Sequence, residues 1–155
     1  LLPSFVCLAF ICFNQCFLDE NMFLDSGSRT YVEETGGANF FFVTKNGELV
    51  IPKSGSILPS ITRRSMVYVA EKYLGLKVTE RPVALAELPD FVECGLCGTA
   101  AVISPVGKVV DHGKEIRFPS GMEKMGDVTK RLYDTMTGIQ LGTVEAPEGW
   151  IRKIL

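Results

Sequence analysis

Along the body of the chain the apolar positions follow two periods. Short β-prone runs come first: Arg29 to Glu33, then Asn39-Phe40-Phe41-Phe42-Val43-Thr44, with Glu48-Leu49-Val50-Ile51 returning behind it. Asn46-Gly47 sits between the last two and predicts a tight hairpin, because its backbone tolerates the positive φ such turns require. A small-residue turn, Thr35-Gly36-Gly37-Ala38, precedes the Asn39 strand. The period then changes. Met66, Val69, Ala70, Tyr73 and Leu74 recur at i, i+3, i+4, i+7 and i+8, which predicts an amphipathic helix beginning near Ile61 or Thr62. Pro52 to Pro59, rich in Ser, Gly and Pro, is the loop leading into it, and Gly75 can end it. Lys77 to Val83 is the next strand, Ala100 to Val110 a further strand-and-loop unit, and Gly113 to Phe118 a short segment after it. Asp127 reads as the N-cap of a second helix with Val128, Leu132 and Met136 on one face. Strands interleaved with two helices predict a mixed α/β or α+β domain.

The head of the chain breaks this pattern. Leu1 to Leu18 (LLPSFVCLAFICFNQCFL) carries no charged side chain and is followed by Asp19 and Glu20. About 18 apolar residues is the lower edge of what crosses a bilayer. A signal peptide or short anchor fits poorly: no Lys or Arg precedes the run, no small-x-small cleavage pattern follows, and Asn14 and Gln15 interrupt it. A buried strand or helix belonging to a larger chain, or the mistranslated edge of a gene fragment, is favoured over a membrane segment. Residues 1–21 are therefore set apart from a body of residues 22–155.

Composition narrows the classes. The chain has 155 residues, with 16 Lys+Arg against 18 Asp+Glu and a net charge of −2, so one globular domain is expected and a coat for nucleic acid or anionic lipid is not. With one histidine, His112, multi-histidine metal chemistry is excluded, and Asp111-His112-Gly113 reads as a surface turn. Of five cysteines, Cys7, Cys12 and Cys16 lie in the head and the other two form Cys94-Gly-Leu-Cys97. Zinc takes about four ligands and none complete the set; the pair reads as structural cysteines in a reducing compartment.

Three stretches join tight turns to polar groups, as sites do. In Glu33-Glu34-Thr35-Gly36-Gly37-Ala38-Asn39 a carboxylate beside a glycine turn serves as a solvated edge, a base, or a partner for a cationic ring nitrogen. In Ser56-Ile57-Leu58-Pro59-Ser60-Ile61-Thr62-Arg63 a loop enters a helix, so free N–H groups and the Thr62 hydroxyl offer a phosphate seat, unless Ser60 or Thr62 simply caps the helix. Cys97-Gly98-Thr99-Ala100-Ala101 is a small-residue corner, either an anion-binding turn or a packing device.

In this order, Tyr31 to Val43 (YVEETGGANFFFV), Ser56 to Ser65 (SILPSITRRS) and Cys97 to Gly107 (CGTAAVISPVG) resemble the branched-chain amino-acid aminotransferases, among the fold-type IV pyridoxal-phosphate enzymes. Lys130 to Gly142 and Gly149-Trp150 resemble the end of the same family. The resemblance implies the larger, C-terminal domain of that fold, a pseudo-barrel of strands with flanking helices. It implies pyridoxal 5'-phosphate as cofactor, branched-chain amino acids and 2-oxo acids as substrates, and a cytoplasmic homodimer with no membrane or nucleic-acid partner. By resemblance Glu34 pairs with the protonated ring nitrogen, while the N–H groups of Ile61 and Thr62 with the Thr62 hydroxyl hold the phosphate. Leu58 packs on one ring face, with Gly37 and Ala38 near the other. Gly98, Thr99 and Ala100 serve the substrate α-carboxylate, Thr99 also reaching the phosphate.

Departures from the family are equally specific. Its Schiff-base lysine lies upstream of the Glu34 stretch, and here no lysine precedes Lys45. The arginine and tyrosine of the smaller domain are absent too. The redox C-x-x-C of mammalian members falls on Ala101 and Ser104, so Cys94 and Cys97 are not that switch, and Ser60 stands where many members have Gly. The expectation is an N-terminally truncated chain without a catalytic lysine, inactive alone yet able to bind cofactor weakly. The alternatives are a D-amino-acid transaminase, an aminodeoxychorismate lyase, or a non-catalytic membrane-tethered relic.

Overall fold

The computed structural model of the chain describes residues 6–10 and 20–152. Among these described residues, eight strands form one sheet: β1 (Val6–Phe10), β2 (Glu20–Met22), β3 (Asn39–Thr44), β4 (Leu49–Pro52), β5 (Val78–Arg81), β6 (Phe91–Gly98), β7 (Val102–Asp111) and β8 (Lys114–Arg117). Their order is β2-β1-β7-β6-β3-β4-β5, with β8 beside β7. Among the described residues two α-helices, α1 (Ile61–Lys72) and α2 (Asp127–Leu141), flank it. All pairings are antiparallel except β4 with β5, which α1 joins as a crossover. The expected mixed α/β class is the one observed.

β3 explains why the sheet has two cores. Successive strand side chains point to opposite faces. Phe40 and Phe42 enter a cluster with Phe91, Val106 and Val109. Phe41 and Val43 enter the other, with Leu49, Ile51, Met66, Val69, Leu132 and Met136. The second cluster lies under α1 and α2, so both helices dock through their apolar stripes while their polar faces stay out. At the β3–β4 hairpin Gly47 takes φ +77°, and its N–H donates to Thr44 O at 2.9 Å, as the Asn-Gly pair predicts.

Several expectations need correction. Arg29 to Glu33 is not a strand: among the described residues it makes only isolated bridges, Tyr31 with Ala84 and Val32 with Leu24. The Asp25 carboxylate accounts for this, because it accepts from the N–H groups of Ser28, Thr30 and Tyr31 and winds the backbone into a loop. Those bonds hold its pKa far below the usual carboxylate range. α1 stops at Lys72 with Tyr73 as its C-cap, short of Leu74, and Gly75 turns the chain at φ +63°. Asp127 is not the N-cap of α2 but its first residue; the cap is Gly126, which has no side chain to offer. Glu93 on β6 substitutes, its carboxylate accepting from Val128 N (3.1 Å), Thr129 N (2.8 Å) and Thr129 Oγ1 (2.7 Å).

The head contributes β1, whose register runs antiparallel to β2 (Val6 opposite Met22) and to β7 (Cys7 opposite Val110). The remainder of Leu1 to Leu18, with Cys12 and Cys16, lies outside the described residues. Among the described residues, no helix is long and apolar enough to cross a membrane.

Candidate functional site

The three polar stretches converge on one cleft of about 310 Å³. The chain reverses at Thr35–Ala38 between the bridged residues Glu34 and Asn39. Thr35 builds that reversal: its N–H donates to Ala38 O, and its hydroxyl oxygen accepts from Gly37 N and Ala38 N. β3 then runs beside β6, with Asn39 opposite Cys97. The turn at the end of β6 therefore lies next to the Gly37–Ala38 turn. Contact there is close, since a Cβ on Gly98 would stand 3.1 Å from Gly37 O. Val102, just past the turn, holds φ +60°, a conformation that costs a β-branched residue on the order of 1–3 kcal/mol.

The loop before α1 closes the other side. Ser54 Oγ donates to Glu33 Oε1 at 2.8 Å, and Leu58 N donates to Glu34 Oε2 at 3.2 Å and Oε1 at 3.3 Å. Adjacent carboxylates thus tether both halves of the loop. Ser60 is the N-cap of α1, its hydroxyl accepting from Arg63 N at 3.2 Å, while Arg64 N donates to Ser60 O. The capping alternative is therefore realised, and it is compatible with an anion seat. The N–H groups of Ile61 and Thr62, at the positive end of the helix, meet no acceptor among the described residues.

Of the residues singled out from sequence, Glu34, Gly37, Ala38, Leu58, Ile61, Gly98 and Thr99 line this cleft. Thr62 borders the adjoining groove with Ser65, Met136 and Trp150. Ala100 is exposed in the turn one residue beyond the wall. Asn39, to which the sequence assigns no functional role, is buried at 5% exposure and donates its amide to Glu34 Oε2 at 2.9 Å. The signal for it is a lone amide opening an otherwise apolar run. Among the described residues, no lysine lines the cleft and no cluster could hold a metal ion.

Cys97 also reaches the cleft wall, but Cys94 does not. Three residues apart on a strand, they face opposite sides, Cys94 in one core and Cys97 in the other. Both are free and buried, so neither a disulfide nor a shared metal is open to them. Burial pushes the Cys97 thiol up to about 12, with the Arg63 guanidinium working the other way. His112 lies in an exposed turn with Nδ1 2.6 Å from Asp111 Oδ1.

The family model for amino-transferase class IV matches residues 17–109. The branched-chain-amino-acid aminotransferase of Haemophilus influenzae is 51% identical over 133 residues, covering 86% of this chain and 38% of that protein. The Helicobacter pylori protein of the same name is 43% identical over 136 residues, covering 88% and 39%. The solved branched-chain amino acid aminotransferase from Escherichia coli aligns with a TM-score of 0.72 at 34% identity, over 86% of this chain and 42% of that one. The holo form of the branched-chain amino acid aminotransferase from Thermobaculum terrenum aligns with a TM-score of 0.69 at 35% identity, over 80% and 38%. The chain spans about two-fifths of the length of the curated relatives it matches.

Proposed function

The chain belongs to the class IV amino-transferase family, and from that premise we propose that residues 22–155 form a seat for pyridoxal 5'-phosphate whose parent reaction moves an amino group between Leu, Ile or Val and 2-oxoglutarate. One observation carries this: three segments distant in sequence place a carboxylate, a helix start with free N–H groups and a small-residue turn around one cleft. The cleft fits such a group. Glu34 retains acceptor capacity beyond its bonds to Leu58 and Asn39, and the space beside Gly37 is open. When bound, the cofactor supplies an electron sink at its protonated ring nitrogen. Glu34 keeps a proton on that nitrogen by charge. Ile61 and Thr62 take the phosphate at the helix start. Leu58 would cover one ring face, with Gly37 and Ala38 near the other, all three lining the cleft. Gly98, Thr99 and Ala100 orient the substrate carboxylate, Thr99 also reaching the phosphate. By the same reading, the substrates are amino and 2-oxo acids and the working assembly is a cytoplasmic homodimer.

The general base of such a reaction is a lysine amine. Among the described residues, no lysine lines the cleft. We therefore read this chain as a binder that does not transaminate by itself. Two measurements test this. Titration with N-(5'-phosphopyridoxyl)-L-leucine and with its D-alanine counterpart should favour the L-leucine conjugate; no binding, or a preference for the D form, would sink the branched-chain reading. Incubation with pyridoxal 5'-phosphate, L-leucine and 2-oxoglutarate should yield no glutamate, and steady turnover would overturn the inactive assignment.

A further inference from the structure

We infer that Asn39 is the positioning residue for Glu34, fixing the plane of its carboxylate in the cleft. The inference rests on the cofactor seat proposed above and goes one step behind it. Glu34 lies at the end of an irregular segment, and its bond from Leu58 N is shared between both oxygens at 3.2 and 3.3 Å. A shared bond from a loop leaves the carboxylate free to rock. The bond from Asn39 is different in kind. Asn39 opens β3, is bridged to Glu34 on one side and paired with Cys97 on the other, and is buried. Its amide therefore comes from the rigid sheet, and it meets one oxygen only, Oε2, at 2.9 Å. An ionised carboxylate can only accept, so the NH₂ group of Asn39 must face it. Together, Asn39 from the sheet and Leu58 from the loop hold the carboxylate at two points and leave its remaining lone pairs for the cleft.

The test is a double-mutant cycle in the intact chain, using pyridoxamine 5'-phosphate as probe because it carries no aldehyde to react with surface lysines. Asn39→Ala should weaken binding about 10-fold, the loss of one hydrogen bond to a charged group. In a Glu34→Ala background the same change should have no further effect, since Asn39 acts through Glu34. The pH at which the bound ring loses its proton should fall in Asn39→Ala, which a merely structural residue would not cause. Without ligand, hydrogen exchange at the Leu58 amide should quicken by about 10-fold as the carboxylate it donates to becomes mobile. Should Asn39→Ala fail to fold, Asn39→Leu keeps the approximate volume, removes the donor and is expected to weaken binding by the same factor of about 10. Equal losses in both backgrounds, or unchanged affinity and exchange, overturn the inference. If the wild-type chain does not bind the probe, the cofactor seat falls, and Leu58 exchange alone decides: quickened exchange upholds the positioning of Glu34, unchanged exchange ends it.

Discussion

Replacing Gly126 with alanine should loosen α2 by displacing a side chain that belongs to another element. An added Cβ would stand 2.2 Å from Glu93 Cδ, 2.4 Å from Oε2 and 2.6 Å from Cγ. The backbone itself raises no objection, because φ −63° and ψ 157° are open to any residue. The cost therefore falls on Glu93, which is 8% exposed and receives three hydrogen bonds from Val128 and Thr129. A hydrogen bond to a charged group contributes about 1.5–3 kcal/mol, and three on one carboxylate share a loss of roughly 4 kcal/mol rather than adding. Restricting the unfolded chain returns about 0.5–1 kcal/mol. A net loss of about 3 kcal/mol corresponds to a fall in Tm of roughly 6–12 °C for a domain of this size. Thermal unfolding followed by far-ultraviolet circular dichroism reads it directly. In a Glu93→Ala background the obstacle is gone and Gly126→Ala should cost nothing more. A single-mutant Tm within about 2 °C of wild type, or an undiminished loss in the Glu93→Ala background, would refute the account.

Gly95→Ala should be more damaging still, since its Cβ would enter the Phe41 ring at 2.2 Å from Cζ; denaturant unfolding should show a loss of about 3 kcal/mol or more. Ser60→Ala removes the cap on Arg63 N and should cost about 1 kcal/mol, whereas Ser60→Gly costs only a few tenths, read from the same curves. Cys94 and Cys97 should resist a thiol reagent at neutral pH and react once the chain is unfolded in guanidinium. Because burial raises both thiols above their ordinary value of 9.0, Cys97 to about 12, the folded chain holds those protons more tightly than the unfolded one. Their stabilising contribution is thus complete below pH 9 and lost as pH rises toward 12, so Tm should decline across that window.

Local pattern is a good guide wherever neighbours in sequence decide the outcome. The Asn46-Gly47 hairpin, the α1 stripe of Met66, Val69 and Ala70, and the small-residue turns all form where their chemistry puts them. It fails where a remote group decides. β6 is not legible in the pattern, because Phe91–Gly98 carries Glu93 and Gly95 in positions that read as breaks. Glu93 is buried only because α2 supplies three donors, and Gly95 is there only because Phe41 needs its space.

The sequence by itself determined the family, the mixed class of fold and the residue types of the cleft, because those are written in short motifs whose chemistry is local. Tertiary structure alone decided which of those residues meet. It drew Glu34, Leu58, Ile61 and Thr99 into one cleft, left Thr62 in the adjoining groove, and put Cys94 and Cys97 on opposite faces of a strand. It also assigned Asn39 to Glu34 and Glu93 to α2. For Asn39 and Glu93 the physical reason is the same. A buried polar group must find its hydrogen-bond partner wherever the fold places one, and sequence distance carries no record of that choice.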